Sequence, residues 1–428
     1  MSRLPDCIVV GGGVIGCAVT YELAKRSVPV LLVDQSLPGR ATSASAGGLW
    51  PIGEAVGLGC GVIYHSAQTN TQPSTNGVVP GPDALPDVFR DFLVRSNACF
   101  PELADELQAR SNLDIEYAPG AGLIFVIEGE PQRAFVEHVT RSLPPTVDYE
   151  VLSAEAVARL EPRLSRDIVG GVLLSGEHQV NPMLLAEAYK RAAIQLGARF
   201  RPHLAVTGIR RQGDRVVGVE AGTEFLPSGA VVNAAGAWAA RLAATAGMEL
   251  PVFPVRGQIV LTETMPRALN ACLSTSSCYL LQKAHGEVLI GSTTEHCGFD
   301  VGVTPEGIHS LCRGAVRTVP MLSRVGIKRV WAGLRPGTPD ELPILGPGGG
   351  LDGYFNATGG FRTGIVASPL TGRVVAQWVN GESPCCDRDA FLSDRFGPRQ
   401  IGARYIGAQS SPAVSLDQQS GQGQLEAG

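Results

Sequence analysis

The chain has 428 residues, of which 44% are hydrophobic and 18% charged, enough to bury a sizeable core in about two or three domains. Its 35 basic and 40 acidic residues give a formal net charge of −5, and the sequence contains no block of lysine and arginine. This balance argues against a nucleic-acid partner, because nucleic acids are bound through a surplus of basic groups.

Ten cysteines are present, and none stands in a C-x-x-C pair or in a His/Cys set with zinc or iron–sulfur spacing. We interpret them as free thiols in a reducing compartment, including Cys60 and the adjacent Cys385 and Cys386, and expect no metal site. The apolar run at residues 7–19 has no basic leader and reaches Glu22 too early to span a bilayer, which needs about 20 apolar residues. We therefore expect a cytoplasmic protein without a transmembrane segment, and peripheral association with the inner membrane stays open.

The N-terminal residues predict one strand–helix–strand unit. Residues 7–10 form a short apolar run, and residues 14–26 place apolar side chains at helical spacing. Residues 28–33 form a second apolar, β-branched run that ends at Asp34. A glycine-rich turn at residues 11–16 joins the first strand to the helix.

The rest of the chain mixes helices, short strands and loops. Residues 35–82 are poor in helix signals, residues 83–111 look helical, and residues 113–150 are expected to supply strands. A helix is predicted at residues 184–196, which stand between a proline and a glycine. The other expected elements are a hairpin of strands at residues 205–210 and 216–220, strands at 257–263, 278–282 and 288–291, a helix at 303–319 and a final helix near 371–379.

The turn at residues 11–16 fits the G-x-G-x-x-G fingerprint of dinucleotide-binding proteins. Gly11 permits the tight turn, Gly13 lets the backbone approach a pyrophosphate, and Gly16 lets the helix pack on the strand. The helix N-terminus then offers N–H groups and a positive dipole end to the phosphates. Asp34, at the end of the second strand, would accept hydrogen bonds from a ribose diol.

The fingerprint alone fits NAD and FAD equally well. A plain NAD dehydrogenase usually continues with further regular strand–helix units, whereas this chain continues with small and hydroxyl side chains at residues 40–49. Such a series suits a backbone that lies close to a large, flat cofactor.

Several separated motifs resemble those of the D-amino-acid oxidase superfamily, especially its glycine oxidase, sarcosine oxidase and D-amino-acid dehydrogenase branches. The resemblance covers roughly residues 5–382 and implies FAD as the cofactor. Besides the fingerprint, the motifs are SASAGGL at 43–49, VVNAAGAW at 231–238, PVRGQ at 254–258, WAGLRPGTPD at 331–340 and ATGGFRTGI at 357–365.

The fingerprint and the resemblance together imply a set of cofactor-binding residues. Val206 stands where the family contacts the adenine half, residues 234–236 where a turn passes beneath the ribityl and phosphates, and residues 359–365 near the pyrimidine edge. The predicted set is Gly11, Gly13, Val14, Ile15, Gly16, Asp34, Gln35, Thr42, Ser43, Ser45, Ala46, Gly47, Gly48, Leu49, Val206, Ala234, Ala235, Gly236, Trp238, Arg335, Gly359, Gly360, Phe361, Arg362, Thr363, Gly364 and Ile365.

The same resemblance implies three catalytic-site residues for a small amino-acid-like substrate. Arg335 matches the arginine that binds the substrate carboxylate, Tyr279 matches an active-site tyrosine, and Arg362 is a second basic candidate at the flavin face. Their alternatives are a surface ion pair for Arg335, a plain core aromatic for Tyr279, and a structural or phosphate contact for Arg362. The chain departs from the family at Gly360, where a histidine is frequent, and it has no cysteine near Arg335 to attach the flavin. We therefore expect non-covalent FAD.

A narrower likeness concerns GEAVGLGCGVI at residues 53–63, which resembles flavin subunits of multi-subunit bacterial dehydrogenases of the opine oxidase, D-hydroxyproline dehydrogenase and hydrogen cyanide synthase kind. It implies an amino-acid dehydrogenase that passes electrons to partner subunits carrying further redox centres. The alternatives are a self-contained oxidase that uses O₂, a flavin-binding scaffold without turnover, and a plain NAD dehydrogenase.

The expected fold class is α/β, with a Rossmann-like FAD-binding domain and a second, mostly antiparallel-sheet substrate domain. We expect the FAD-binding domain to be discontinuous, from residues 1–65, 150–245 and 328–390, and the second to use residues 66–149 and 246–327. Residues 397–428 are rich in Gln, Ser and Gly and are expected to form a disordered tail.

Overall fold

The computed structural model describes residues 6–57, 85–141, 143–387 and 389–397. Its helices are α1 Val14–Lys25, α2 Pro51–Ala55, α3 Asp87–Asn97, α4 Phe100–Ser111, α5 Glu130–Arg141, α6 Ala154–Leu160, α7 Pro182–Gln195, α8 Ala239–Ala244, α9 Pro305–Thr318 and α10 Gly364–Val379. Its strands are β1 Cys7–Val10, β2 Val30–Asp34, β3 Gly48–Leu49, β4 Leu123–Ile127, β5 Glu150–Ser153, β6 Gly170–Leu174, β7 His178–Gln179, β8 Arg199–Pro202, β9 Val206–Gln212, β10 Arg215–Ala221, β11 Glu224–Pro227, β12 Ala230–Asn233, β13 Phe253–Thr262, β14 Cys272–Ser274, β15 Tyr279–Gln282, β16 Val288–Gly291, β17 Ile327–Gly337, β18 Ile344–Pro347 and β19 Tyr354–Thr358.

A six-stranded sheet in the order β18-β19-β12-β1-β2-β8 carries the N-terminal glycine turn. The strands from β19 to β8 are parallel neighbours, and β18 is added antiparallel. Every residue of β1 is buried, as expected for a central parallel strand covered on both faces. Helix α1 packs against α7 and α10 on one face, so the fingerprint helix is fixed by neighbours along its length.

An eight-stranded sheet in the order β17-β13-β16-β15-β14-β4-β6-β5 forms the second layer, and apart from the β14–β4 pair its ladders are antiparallel. Its longest ladder pairs β13 with β17, with Val255 opposite Arg335 and Gly257 opposite Gly333. These two sheets confirm the expected fold class of a parallel cofactor-binding layer with a mostly antiparallel second layer.

The sheet membership differs from the expected division of the chain. Strands β5 and β6 and the whole of β17 belong to the eight-stranded sheet, although residues 150–245 and 328–390 were assigned to the FAD-binding domain. The reason is that β17 pairs with β13 over its full length, and β6 pairs with β4 from Gly170 to Leu174. Backbone pairing over that distance is not visible in local sequence patterns.

Several predicted elements have different limits in the structure. The helix expected from residue 184 starts at Pro182, because the Asn181 side chain accepts hydrogen bonds from the first-turn N–H groups. The final helix begins at Gly364, well before residue 371. Residues 113–150 contain helix α5 as well as strand β4, and strand β5 begins at their last residue, Glu150. The hairpin β9–β10 forms around Gly213 as predicted.

Two further predictions concern cysteines and membrane spans. Cys385 and Cys386 are free and half-buried, whereas Cys60 and most of the expected tail lie outside the described residues. Within the described ranges, no group of three metal-binding side chains comes together. No helix in the described part of the chain combines the length and apolarity that crossing a membrane requires.

Candidate active site

A cavity of about 430 Å³ lies where four strands of the parallel sheet end. Strands β1, β2, β12 and β19 run in the same direction, so the residues that follow them meet at one edge of the sheet. These residues line part of the cavity, and residues of β13, β15 and β17 line another part. The cavity therefore lies between the two sheets.

The glycine turn is shaped by close backbone contact. Gly11 has a φ of +112°, which favours glycine, and a Cβ there would overlap the carbonyl oxygen of Ala234. A Cβ at Gly16 would overlap the carbonyl oxygen of Gly11, so the helix start packs directly on the turn. Gly13 precedes α1 without a side-chain cap, and Val14 N–H donates to Thr42 Oγ1 at 3.0 Å. The helix N-terminus thus faces the cavity with its dipole and first-turn N–H groups.

The end of β2 carries a carboxylate that lies against the glycine turn. Asp34 is 8% exposed and accepts from Arg40 Nη1 at 2.7 Å and from Ser36 Oγ at 3.2 Å. A Cβ at Gly12 would lie 2.8 Å from Asp34 Cγ, so this glycine also makes room for the acidic side chain. The carboxylate keeps lone pairs for a ribose diol, because it can accept about four hydrogen bonds.

Arg335 lies on β17, in the part of the cavity wall that the eight-stranded sheet forms. Its guanidinium donates to the carbonyl oxygens of Arg256 at 3.4 Å and Thr293 at 3.2 Å, and to the Ser292 hydroxyl. It also lies flat against Gly257, where any Cβ would overlap both terminal nitrogens. The side chain is therefore held in one orientation by a neighbouring strand, as a fixed anion-binding group requires.

Tyr279 lies beside this arginine, on β15, and is 5% exposed. Its ring lies over Gly291, where a Cβ would overlap the phenol end. The ring also meets Trp50 edge-to-face at a centroid distance of 5.6 Å. These contacts fix the ring at the cavity wall.

Arg362 also lines the cavity, but two carboxylates engage it. Its Nε lies 3.3 Å from Glu54 Oε2, and its Nη2 lies 2.8 Å from Glu341 Oε2. The Arg362 and Glu54 side chains are only 5% and 6% exposed. Burial raises the pKa of Glu341, and the positive charge of Arg362 opposes that rise. These two ion pairs favour a structural role for Arg362, which is one of the alternatives that the sequence left open.

Most of the predicted site residues meet in this one cavity, although they come from distant parts of the chain. The cavity wall includes Gly11, Gly13, Val14, Ile15, Asp34, Gln35, Thr42, Ser45, Ala46, Gly48, Val206, Ala234, Ala235, Gly236, Trp238, Tyr279, Arg335, Gly360, Phe361, Arg362, Gly364 and Ile365. The predicted residues that the structure describes outside the wall are Gly16, Ser43, Gly47, Leu49, Gly359 and Thr363.

The residues outside the wall support it from behind. Ser43 donates to Arg40 O and its own carbonyl accepts from Trp331 Nε1 at 3.0 Å. Leu49 is fully buried, and a Cβ at Gly47 would overlap Val180 O. Their contribution is to packing and backbone shape.

The sequence analysis missed several residues of the wall. Gly12, Arg40, Trp50, Glu54, Gly257 and Ser292 all line the cavity. Gly12 and Gly257 stand inside recognised motifs, next to Gly11 and Arg256. The sequence could therefore have indicated both glycines as residues of the cavity wall. Glu54 stands inside the GEAVGLGCGVI motif at residues 53–63, but its pairing with Arg362 gave no signal, because the two residues are far apart in the sequence.

A half-buried lysine lies behind the same wall. Lys283 Nζ donates to the carbonyl oxygen of Ala46, and burial lowers the lysine pKa to about 8. The unfolded chain, with a lysine pKa near ~10.4, binds more protons than the folded chain between about pH 8 and that value. The free energy of unfolding should therefore rise with pH across this window.

We expect this rise to disappear in Lys283→Met. Relative to the variant, the wild-type protein should gain about 1 to 3 kcal/mol of unfolding free energy between pH 7.5 and pH 10.5. Urea unfolding at fixed excess FAD measures the difference at each pH. If the unfolding free energies of the two proteins changed with pH in parallel, the lowered pKa of Lys283 would be contradicted.

The cavity fits FAD on the evidence of its own residues. A glycine turn and a helix N-terminus suit a diphosphate, a carboxylate beside them suits a ribose, and small side chains at residues 41–46 leave room for a flat ring. Residues 6–378 match the family model described as FAD dependent oxidoreductase, so the chain belongs to that family and is a FAD-dependent enzyme.

Individual relatives narrow this class to enzymes of amino-acid chemistry. The chain is 46% identical to hydrogen cyanide synthase subunit HcnC of Pseudomonas aeruginosa, over 93% of this chain and 98% of the relative. It is 32% identical to glycine oxidase of Geobacillus kaustophilus, over 92% and 98% of the two chains. The crystal structure of that glycine oxidase superimposes with a TM-score of 0.79, at 30% identity, over 91% of this chain and 98% of the other. FAD as cofactor is thereby confirmed, and the relatives include enzymes named as glycine oxidases.

Proposed function

We propose that the chain oxidises the C–N bond of a small amino acid or N-substituted amino acid to an imine, as the flavin subunit of a multi-subunit dehydrogenase. The observation that carries the proposal is the fixed Arg335 guanidinium, which lines the same cavity as Tyr279 and the glycine turn. The arginine and the tyrosine could hold a carboxylate, and the turn with its helix N-terminus could hold a dinucleotide.

Arg335 would bind the substrate carboxylate through two parallel, charge-assisted hydrogen bonds. Because Gly257 and the neighbouring carbonyl groups fix the guanidinium, the carboxylate would be held in one orientation. The Tyr279 hydroxyl would donate a third hydrogen bond, and its buried ring would exclude water from that side of the cavity. Such positioning is the main contribution that a protein makes in cofactor enzymes.

Bound FAD would supply the acceptor, at its N5, for the hydride that leaves Cα. The substrate amine must be neutral so that its lone pair can form the C=N bond of an iminium ion as the hydride departs, and loss of the N–H proton to water then gives the imine. No protein base is required for that step. The role of the chain is to bind the carboxylate, orient Cα–H and keep water away.

The similarity to a protein named as a subunit of hydrogen cyanide synthase supports an assembly with partner subunits. Electrons would then leave the flavin for a redox centre on a partner, which the described residues of this chain do not provide. A self-contained oxidase that reduces O₂ to hydrogen peroxide is the second candidate, favoured by the glycine oxidase relatives.

Anaerobic flavin reduction separates the candidates. We expect the purified FAD-loaded chain to lose its visible flavin absorbance on mixing with glycine, sarcosine or D-proline, and to form little peroxide when air is admitted. Prompt peroxide formation in step with substrate loss would favour the oxidase. A flavin that no amino acid of the panel bleaches would contradict the proposed activity and favour a scaffold.

A further inference from the structure

The orientation of the Arg335 guanidinium depends on the backbone segment that follows β16. The carbonyl oxygen of Thr293 and the hydroxyl group of Ser292 both accept hydrogen bonds from it. The antiparallel ladder between β16 and β13 ends at Gly291, which pairs with Ile259. Two of the groups that hold Arg335 therefore stand just beyond the regular pairing of this sheet.

Beyond that point, the Glu295 carboxylate connects the segment to β13. One of its oxygens accepts from the Thr293 hydroxyl and from Gln258 Nε2, the latter at 2.8 Å. Its other oxygen accepts from the Arg256 guanidinium, whose side chain is 5% exposed. The Thr293 hydroxyl in turn accepts from the backbone N–H of Gln258 at 2.8 Å. A single carboxylate thus joins two side chains of β13 to the residue whose carbonyl oxygen holds Arg335.

Glu295 is ionised at neutral pH in this arrangement. Burial alone would raise the pKa of its carboxyl group, but hydrogen bonds from Thr293, Arg256 and Gln258 outweigh burial and lower the pKa. Hydrogen bonds to an ionised acceptor are roughly twice as strong as those between neutral groups. Removing the charge of Glu295 would therefore weaken its contacts with all three partners at once.

We propose that Glu295 is a positioning residue, whose carboxylate holds Ser292 and Thr293 against β13 and thereby orients the Arg335 guanidinium for the substrate. This inference deepens the proposed function and rests on it, because it assumes that Arg335 binds the substrate carboxylate. Ser292 and Arg335 line the cavity, whereas Glu295 does not, so its effect on the substrate passes through the arginine. A displacement of about 1 Å in a positioning group can cost about 100-fold in rate.

Glu295→Gln keeps the size of the side chain and removes its charge. We expect kcat/KM for anaerobic flavin reduction by glycine, sarcosine or D-proline to fall about 10- to 100-fold, with FAD still bound. The dissociation constant of acetate, measured without turnover by perturbation of the flavin spectrum, should rise about tenfold or more. Thr293→Val breaks the link between the Glu295 carboxylate and this segment. It should act in the same direction, and it serves if Glu295→Gln does not fold with FAD.

Asp300→Asn is the matched control. The Asp300 carboxylate also pairs with Arg256, but its side chain is 60% exposed and its second oxygen accepts from Gly302 N–H in the same loop. Exposed ion pairs contribute little, so this variant should keep kcat/KM and the acetate dissociation constant within about twofold of the wild-type values.

A double variant tests whether Glu295 acts through Arg335. If it does, adding Glu295→Gln to Arg335→Leu should lower kcat/KM by at most about twofold more. A general loss of structure would instead lower kcat/KM by the same factor in both backgrounds. The inference is overturned by that result, or if Glu295→Gln and Thr293→Val both match the control. Either outcome leaves the proposed function standing, whereas a flavin that no amino acid of the panel reduces would reject the proposed function itself.

Discussion

Arg335→Leu should lower kcat/KM for the amino-acid substrate by about 10³-fold, while FAD stays bound. Loss of a charge-assisted pair in a water-poor site costs about 3 to 5 kcal/mol, and each 1.36 kcal/mol is a factor of ten in rate. Leucine also leaves the carbonyl oxygens of Arg256 and Thr293 without this donor. The measurement is anaerobic flavin reduction over a range of substrate concentrations.

Two further variants test whether the loss of kcat/KM is specific to the guanidinium of Arg335. Arg329→Leu removes an exposed arginine from the same strand and should leave kcat/KM near the wild-type value. Arg335→Lys keeps the charge but loses the planar fork, and should recover only part of the activity. Unchanged activity in Arg335→Leu, alone or in complex with partner subunits, would remove this site from catalysis.

Gly11→Ala should weaken FAD binding by about 100-fold or more and yield a nearly colourless protein. The added methyl group would overlap the carbonyl oxygen of Ala234, and the positive φ of Gly11 strains any residue with a side chain. Removing both the overlap and the backbone strain requires a shift of the turn that would face the diphosphate. A displacement of that size removes several N–H contacts at once, each worth about 1.5 to 3 kcal/mol when the partner is charged.

The control is Gly176→Ala, because a Cβ at Gly176 meets no atom within 4 Å and its φ is not positive. Fluorescence titration with FAD gives the dissociation constants, and circular dichroism shows whether each variant is folded. A folded Gly11→Ala protein that binds FAD with wild-type affinity would show that the turn does not hold the cofactor.

Local sequence patterns alone predict the candidate cofactor end of the site. Local spacing determines that region, since a strand, a glycine turn and a helix in succession leave few possible geometries. The substrate end was accessible only through family resemblance. Arg335 and Tyr279 lie on different strands of the eight-stranded sheet, and no local pattern indicates that the two strands border one cavity.

The interactions that the sequence did not predict are those between distant charged residues. Arg362 was recognised as a basic candidate, but its partners come from α2 and from the loop before β18. The Asp34–Arg40 pair is closer in sequence and still depends on the fold of the intervening turn. Ion pairs of this kind form when tertiary packing brings distant side chains together. A structure is therefore needed to identify them.

The contact between Gly257 and Arg335 limits how this enzyme could be altered. Because the guanidinium occupies the space of a missing side chain, position 257 tolerates no larger residue without moving the anion anchor. Changes of substrate range by directed evolution should accordingly accumulate around the rim of the pocket, while the floor beneath the arginine stays invariant.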